Sequence, residues 1–368
     1  MTGEPRLAVF VSPHGFGHAA RASALMGSMH GLVGARFELF ASTPTWFFDE
    51  SVAGQYRYHR TVTDVGLRQK SALRHDAGET ASALDELLPF DDALVGDLAA
   101  EVTEAGCRAV ICDIAPLGIA VAERAGLPSV LVESFTWPWL YEPMLGEAPG
   151  LEAHAEVLEA WNARATYHVQ TEPLCLRSEQ ADLHVAPMSR PARRTREAVR
   201  SAFGLTAEAP VVVLTMGGDP EALPFLGQLR DLQDVTFLVT GAGETRVDGN
   251  LHLFDAATRI YMPDLMCAAD AVVAKAGYST IAEVWKEGRP MAFVTRDDFR
   301  EMGPLREWVL GEIPSFEIPG ATFASGEWIP RVPELLAMPT SAPKTQGGAE
   351  VVARYLVEAL ELSPSRTT

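Results

Sequence analysis

The sequence predicts an α/β protein built from two doubly wound, parallel-sheet domains. Short apolar or β-branched runs alternate with helical patterns, as they do in parallel sheets covered on both faces. The alternation halts mid-chain at a stretch rich in proline and arginine, then restarts. A length of 368 residues and a hydrophobic content of 47% are enough for two full cores.

In the first half the strands are "RLAVFVS", "RFELFAS", "YRYHRT", "RAVICDI", "PSVLVES" and "TYHVQT", with a helix from the first turn to about Val33. The segment Thr63 to Leu88 breaks this rhythm with polar residues, ahead of a helix expected to run on to Glu104. It reads as a mobile excursion over the sheet and a candidate acceptor loop. After "HVAPMSRPARRTREAVRSAFGL" come "PVVVLTMGGDP", "VTFLVTG", "LHLF", "AVVAKAG", "PMAFVT" and "SFEIP", with helical stretches at Tyr278 to Lys286 and Gly303 to Val309. The expected division is a first domain over 1–190, a second over 205–346, and an amphipathic helix within 347–368 packing across the junction. Facing sheets of this kind put their carboxyl ends on an interdomain cleft, where open sheets bind ligands.

Composition narrows the function. Thirty Lys plus Arg against 49 Asp plus Glu give a net charge of -19, which disfavours nucleic acid and anionic membrane surfaces. The basic run Ser189 to Arg200 reads as a linker and a solvated helix face. No apolar leader and no stretch of uncharged apolar residues long enough to span a bilayer is present, so a cytoplasmic protein is expected. Cys107, Cys112, Cys175 and Cys267 form no CxxC pair and read as buried reduced thiols.

Two stretches can carry chemistry. "SPHGFGHAAR" places His14 and His18 at the first strand-to-helix turn, and an imidazole titrating near neutrality can take a proton from a hydroxyl or water. In "ADAVVAKAGYSTIAEVWKEGRP" a strand ends at Lys275, Gly277 turns the chain, and Ser279 and Thr280 open a helix carrying Glu283 one turn in. Backbone N–H groups there suit a diphosphate and Glu283 suits a diol; the same residues equally serve as a helix cap and a first-turn acid. Thr215, Gly217 and Gly218 of "LTMGGDP" either let the backbone approach a phosphate or form an ordinary turn.

The run "YMPDLMCAADAVVAKAGYSTIAEVWKEGRP" resembles the nucleotide-sugar-binding segment of GT-B glycosyltransferases, which have two facing Rossmann-like domains. It resembles in particular the family of the peptidoglycan enzyme that transfers N-acetylglucosamine to a lipid carrier, and is similar as well to the pseudaminic-acid-pathway hydrolase that cleaves a UDP-linked sugar. "HGFGHAAR" resembles the GFGHxxR form of that hydrolase. With "CDIAPLGIAVAERAGLPSVLVESFTWPWLYE", Cys112 to Glu142, it also resembles the amino-terminal region of plant arabinokinases.

The resemblance implies a UDP, dTDP or GDP sugar as donor, an acceptor, inversion at the anomeric carbon, and no metal or other cofactor. It implies that Gly17, Gly277, Tyr278, Ser279 and Thr280 border the nucleotide, that Glu283 holds the ribose, and that the base lies near Tyr261 and Met262. His18 would be the general base, or the group activating water in a hydrolase. His14 would contact the acceptor, orient His18 or cap the turn, and Asp113 is a candidate to orient His18. Arg21 would reach a diphosphate or lie on a solvated face. Trp137 and Trp139 would stack on a sugar or pack in a core. Asp297, Asp298 and Glu301 would accept from sugar hydroxyls or belong to a solvated loop. A binding module without turnover is the alternative outside enzymes. The sequence leaves the donor base, the sugar, the acceptor and the oligomeric state open.

Overall fold

The computed structural model describes residues 4–71, 74–217, 223–255, 257–295 and 299–362. The chain divides into two compact units, one taking in everything up to Ser189 together with the stretch from Gln346 onward, the other Arg190–Thr345.

In the first unit, β1 (Arg6–Val11), β2 (Arg36–Ala41) and β3 (Tyr56–Arg60) are followed by a small antiparallel pair, β4 (Gln69–Ser71) and β5 (Arg74–His75). The strands β6 (Cys107–Asp113), β7 (Ser129–Glu133), β8 (Tyr167–Thr171) and β9 (Leu183–Val185) complete a parallel sheet of order β3-β2-β1-β6-β7-β8-β9. The unbroken apolar run of β1 is explained by its two covered faces. Leu7, Val9 and Val11 enter a core shared with the helix Phe16–Val33, while Ala8 and Phe10 enter another under the helices Asp92–Glu104 and Pro116–Ala125.

The helix expected up to Glu104 is Asp92–Glu104, and the segment before it holds a further helix, Ala77–Leu87. Pro89 disfavours helical backbone at Leu88, and Asp91 begins the second helix by accepting from the Leu94 N–H at 2.9 Å. The excursion after β3 also starts packed: Thr63, Asp64 and Val65 are buried.

The second unit carries β10 (Val211–Thr215), β11 (Thr236–Ala242), β12 (Arg246–Asp248), β13 (Leu251–Asp255), β14 (Ala271–Lys275), β15 (Met291–Val294) and β16 (Ser315–Ile318). Their order is β12-β13-β11-β10-β14-β15-β16, parallel except for β12 against β13. The basic run before this sheet is solvated only in part: Arg193 and Arg194 are exposed, whereas Arg190 and Arg200 are buried. Arg200 is buried, donating to the carbonyls of Ala207, Ala209 and Ala268 and to Asp270, so its charge is used to tie loop ends together. Cys107 and Cys112 are buried as expected, whereas Cys175 and Cys267 are only half-buried. Among the described residues no helix is long and apolar enough to cross a membrane.

The last helix, Gly348–Ala359, packs Val352, Ala353 and Leu356 into the core of the first unit. Its first residue must be glycine for steric reasons, because a Cβ there would lie 2.0 Å from the Ala186 carbonyl oxygen. Gly348→Ala is expected to destabilise the protein by about 1–3 kcal/mol or more, as overpacking does, read as a lower urea midpoint with unchanged slope.

Candidate functional site

Parallel pairing of β1 with β6 sets Val11 beside Asp113, at the carboxyl ends of both strands. The helix after β1 then presents His18 and Arg21, one turn apart on the same face, to that carboxylate. Asp113 Oδ1 lies 2.8 Å from His18 Nδ1. Arg21 donates through Nε to Asp113 Oδ2 at 2.7 Å and through Nη2 to Oδ1 at 2.6 Å. Arg21 Nη1 donates to Ser134 Oγ at 3.0 Å, and that hydroxyl donates to the Thr171 carbonyl at 2.7 Å. All three charged or titratable side chains are buried. Ile114, directly after Asp113, has φ of 39°, a costly conformation for a β-branched residue and one that concentrates at functional sites.

The protonation states follow from these contacts. Burial opposes ionisation of Asp113, but the Arg21 guanidinium together with the His18 hydrogen bond outweighs it and holds the carboxyl below its ordinary range. An ionised carboxylate only accepts, so Nδ1 carries the proton and Nε2 has the lone pair. Burial pushes the His18 imidazole below its ordinary value, against the pull of Asp113. The result is a neutral, oriented imidazole at neutral pH. Arg21 is thus committed to Asp113, an arrangement that sequence spacing left open.

Trp137 is buried with its ring centroid 6.1 Å from that of His18 and 5.3 Å from that of His14. His14 is half-buried on the turn, its N–H 3.4 Å from Ser12 Oγ. Trp139 is half-buried, its N–H capped by Thr136. Gly17 is half-buried in the first turn of the helix.

In the second unit Thr215 ends β10, accepting a hydrogen bond from Thr240 Oγ1 at 2.8 Å. Gly217 follows with φ of 93°, a left-handed backbone that favours glycine, and a Cβ there would lie 3.4 Å from Lys275 Nζ. Gly218, Asp297 and Asp298 lie outside the described residues. Gly277 is the N-cap of the helix Tyr278–Glu287, which has no side-chain cap. Ser279 and Thr280 are half-buried beside those N–H groups, as is Tyr278.

Glu283 is buried and accepts from Arg190 Nη2 at 3.0 Å; burial raises its carboxyl despite that guanidinium. Arg190 in turn lies 5.0 Å from the Tyr261 ring centroid, and Arg193 lies 3.8 Å over the same ring. Tyr261 and Met262 therefore open the helix Met262–Ala268 with the tyrosine already covered by guanidinium. Glu301 is the N-cap of the helix Met302–Glu312, with no side-chain cap bond. Lys275, Arg190, Arg193, Ser134 and Asp64 were not singled out from sequence. Lys275 ends an apolar strand and Arg190 sits in a basic run, so only three-dimensional placement distinguishes them.

No family model matches the chain. L-arabinokinase of Arabidopsis thaliana is 25% identical over 364 residues, 95% of this chain but 34% of that protein, so the chain spans about a third of that relative's length. Among solved structures, the glycosyltransferase SnogD of Streptomyces nogalater superposes with a TM-score of 0.55 at 16% identity, covering 99% of this chain and 97% of its own. MurG of Acinetobacter baumannii gives 0.55 at 14%, covering 97% and 99%. A UDP-glucosyltransferase of Polygonum tinctorium gives 0.59 at 14%, covering 98% and 94%. The chain has the GT-B fold of these glycosyltransferases.

Proposed function

We propose that this chain is a nucleotide-sugar-dependent glycosyltransferase that inverts the anomeric carbon without a metal ion. The observation that carries the reading is the buried His18–Asp113–Arg21 arrangement, in which the Asp113 carboxylate on Nδ1 favours an imidazole with its lone pair on Nε2, in a chain of GT-B fold. His18 Nε2 takes the proton of an acceptor hydroxyl as its oxygen bonds to the anomeric carbon. The bond from that carbon to the diphosphate breaks, its electron pair going to the phosphate oxygen. The charge on the leaving group is met by the N–H groups at the start of the helix Tyr278–Glu287 and by Lys275. Glu283 accepts from the ribose hydroxyls.

The test is a panel of UDP, dTDP and GDP sugars with and without candidate acceptor alcohols and phenols, following free nucleoside diphosphate. Release that requires acceptor supports the reading. Release into water alone replaces it with a hydrolase, and saturable binding without release replaces it with a sugar-nucleotide sensor. Glu283→Gln keeps the volume beside Arg190 while removing the charge. It is expected to raise the donor KM about 10- to 100-fold, the worth of a hydrogen bond to a charged group, with kcat near that of the native protein. Unchanged calorimetric affinity for the nucleoside diphosphate would remove Glu283 from the ribose site.

A further inference from the structure

We infer that Asp64 is a positioning residue that fixes the aromatic wall beside His18. Its carboxylate is buried at the point where three elements meet. Ser12, directly after β1, donates its hydroxyl to Asp64 Oδ1 at 3.1 Å, and Trp137 donates its indole N–H to Oδ2 at 3.1 Å. The segment around Asp64 is pinned from both ends: Thr63 Oγ1 donates to the Val11 carbonyl at 2.7 Å and Tyr141 Oη donates to the Gly66 carbonyl at 2.6 Å. Gly66 packs closely against His14, where a Cβ would come 2.8 Å from the His14 Cβ. One carboxylate therefore links the turn carrying His14 and His18 to the helix Trp137–Tyr141.

The titratable rings of His14 and His18 lie against the Trp137 ring, their centroids 5.3 and 6.1 Å from its own. Ser12, Trp137 and the Gly66 N–H donate to Asp64, Asp113 repels its charge, and among the described residues no cationic side chain is paired with it. Burial is the largest influence, and with the Asp113 charge it pushes the carboxyl up to about 7. The wall thus hangs on a group that changes charge near neutrality. When Asp64 is ionised, the indole bond is charge-assisted; when it is protonated, that bond weakens.

The proposal rests on the transferase reading only for its kinetic consequence, so its test uses no substrate. Indole N–H signals of the 368-residue chain are followed by nuclear magnetic resonance from pH 5 to 9, with Trp137 assigned through Trp137→Phe. The Trp137 signal is expected to shift with a midpoint near 7. In Asp64→Asn the amide oxygen still accepts from the indole and the amide nitrogen can donate to Ser12, so the signal stays hydrogen-bonded but its pH dependence disappears. In Asp64→Ala it moves to the position of an unbonded indole. A Trp137 signal that does not titrate, or that titrates equally in Asp64→Asn, overturns the assignment, and the Asn variant decides the matter even if the Ala variant does not fold. Where turnover is measured, Asp64→Ala raises the acceptor KM and Asp64→Asn restores it.

Discussion

His18→Ala is expected to lower kcat by about 10²- to 10⁴-fold, the usual worth of a positioned general base, while donor binding stays unchanged. The expectation follows from the state in which the fold holds the ring. Asp113 accepts a hydrogen bond from the Nδ1–H, which leaves the Nε2 lone pair as the basic site. His18 is also the third residue of the helix Phe16–Val33, where the amino-terminal dipole adds to burial in opposing a positive charge. Protonation of the native imidazole therefore begins only below the ordinary histidine value. The acid limb of kcat/KM is expected below pH 6.5, since an ordinary imidazole titrates at about 6.5, and the limb should be missing in His18→Ala. Residual turnover within about tenfold of the native protein would remove His18 from the general-base role. The measurement is nucleoside diphosphate release across pH 5 to 9.

How much of this was legible from sequence depends on the range of the interactions. The principal strands of both sheets announce themselves because each is an apolar run with two covered faces, Leu7 to Val11 and Val211 to Leu214 being the plainest. Three-residue strands such as β9 and β12 give no such signal. His18 and its turn were readable because the glycine and histidine pattern is local. The partner of His18 lies 95 residues away, so sequence offered Asp113 only as a candidate. Arg21 and Arg200 looked like solvated charges, since a sequence shows a side chain's charge but not the carbonyls and carboxylates that fold around it. Asp64 was hidden inside a segment that looked like a polar excursion, where nothing local marks a carboxylate that takes an indole N–H and a hydroxyl.

The pairing of Asp113 with two partners separates its structural from its chemical task. Asp113→Ala leaves the buried Arg21 guanidinium without its counter-charge, and breaking one side of a buried pair in this way costs about 3–5 kcal/mol. The sign of the pH dependence is fixed by the native carboxyl lying below its ordinary value. Its stabilisation is fully present above the unfolded carboxyl value of about 3.9 and is lost as pH falls through the lower native value. The difference in urea unfolding free energy between native protein and variant should therefore be full at pH 7 and shrink only in strong acid. Asp113→Asn behaves differently. The amide keeps the volume and one acceptor, but it can turn a donor toward His18 and so favour the tautomer with the proton on Nε2, which cannot accept from a hydroxyl. Its expected signature is a loss in kcat of at least about 10²-fold with a smaller loss of stability than the alanine variant. Because the two residues act through one imidazole, combining Asp113→Asn with His18→Ala should lower kcat little beyond His18→Ala alone. Independent, multiplying effects on kcat would mean that Asp113 acts on the reaction by a route other than His18.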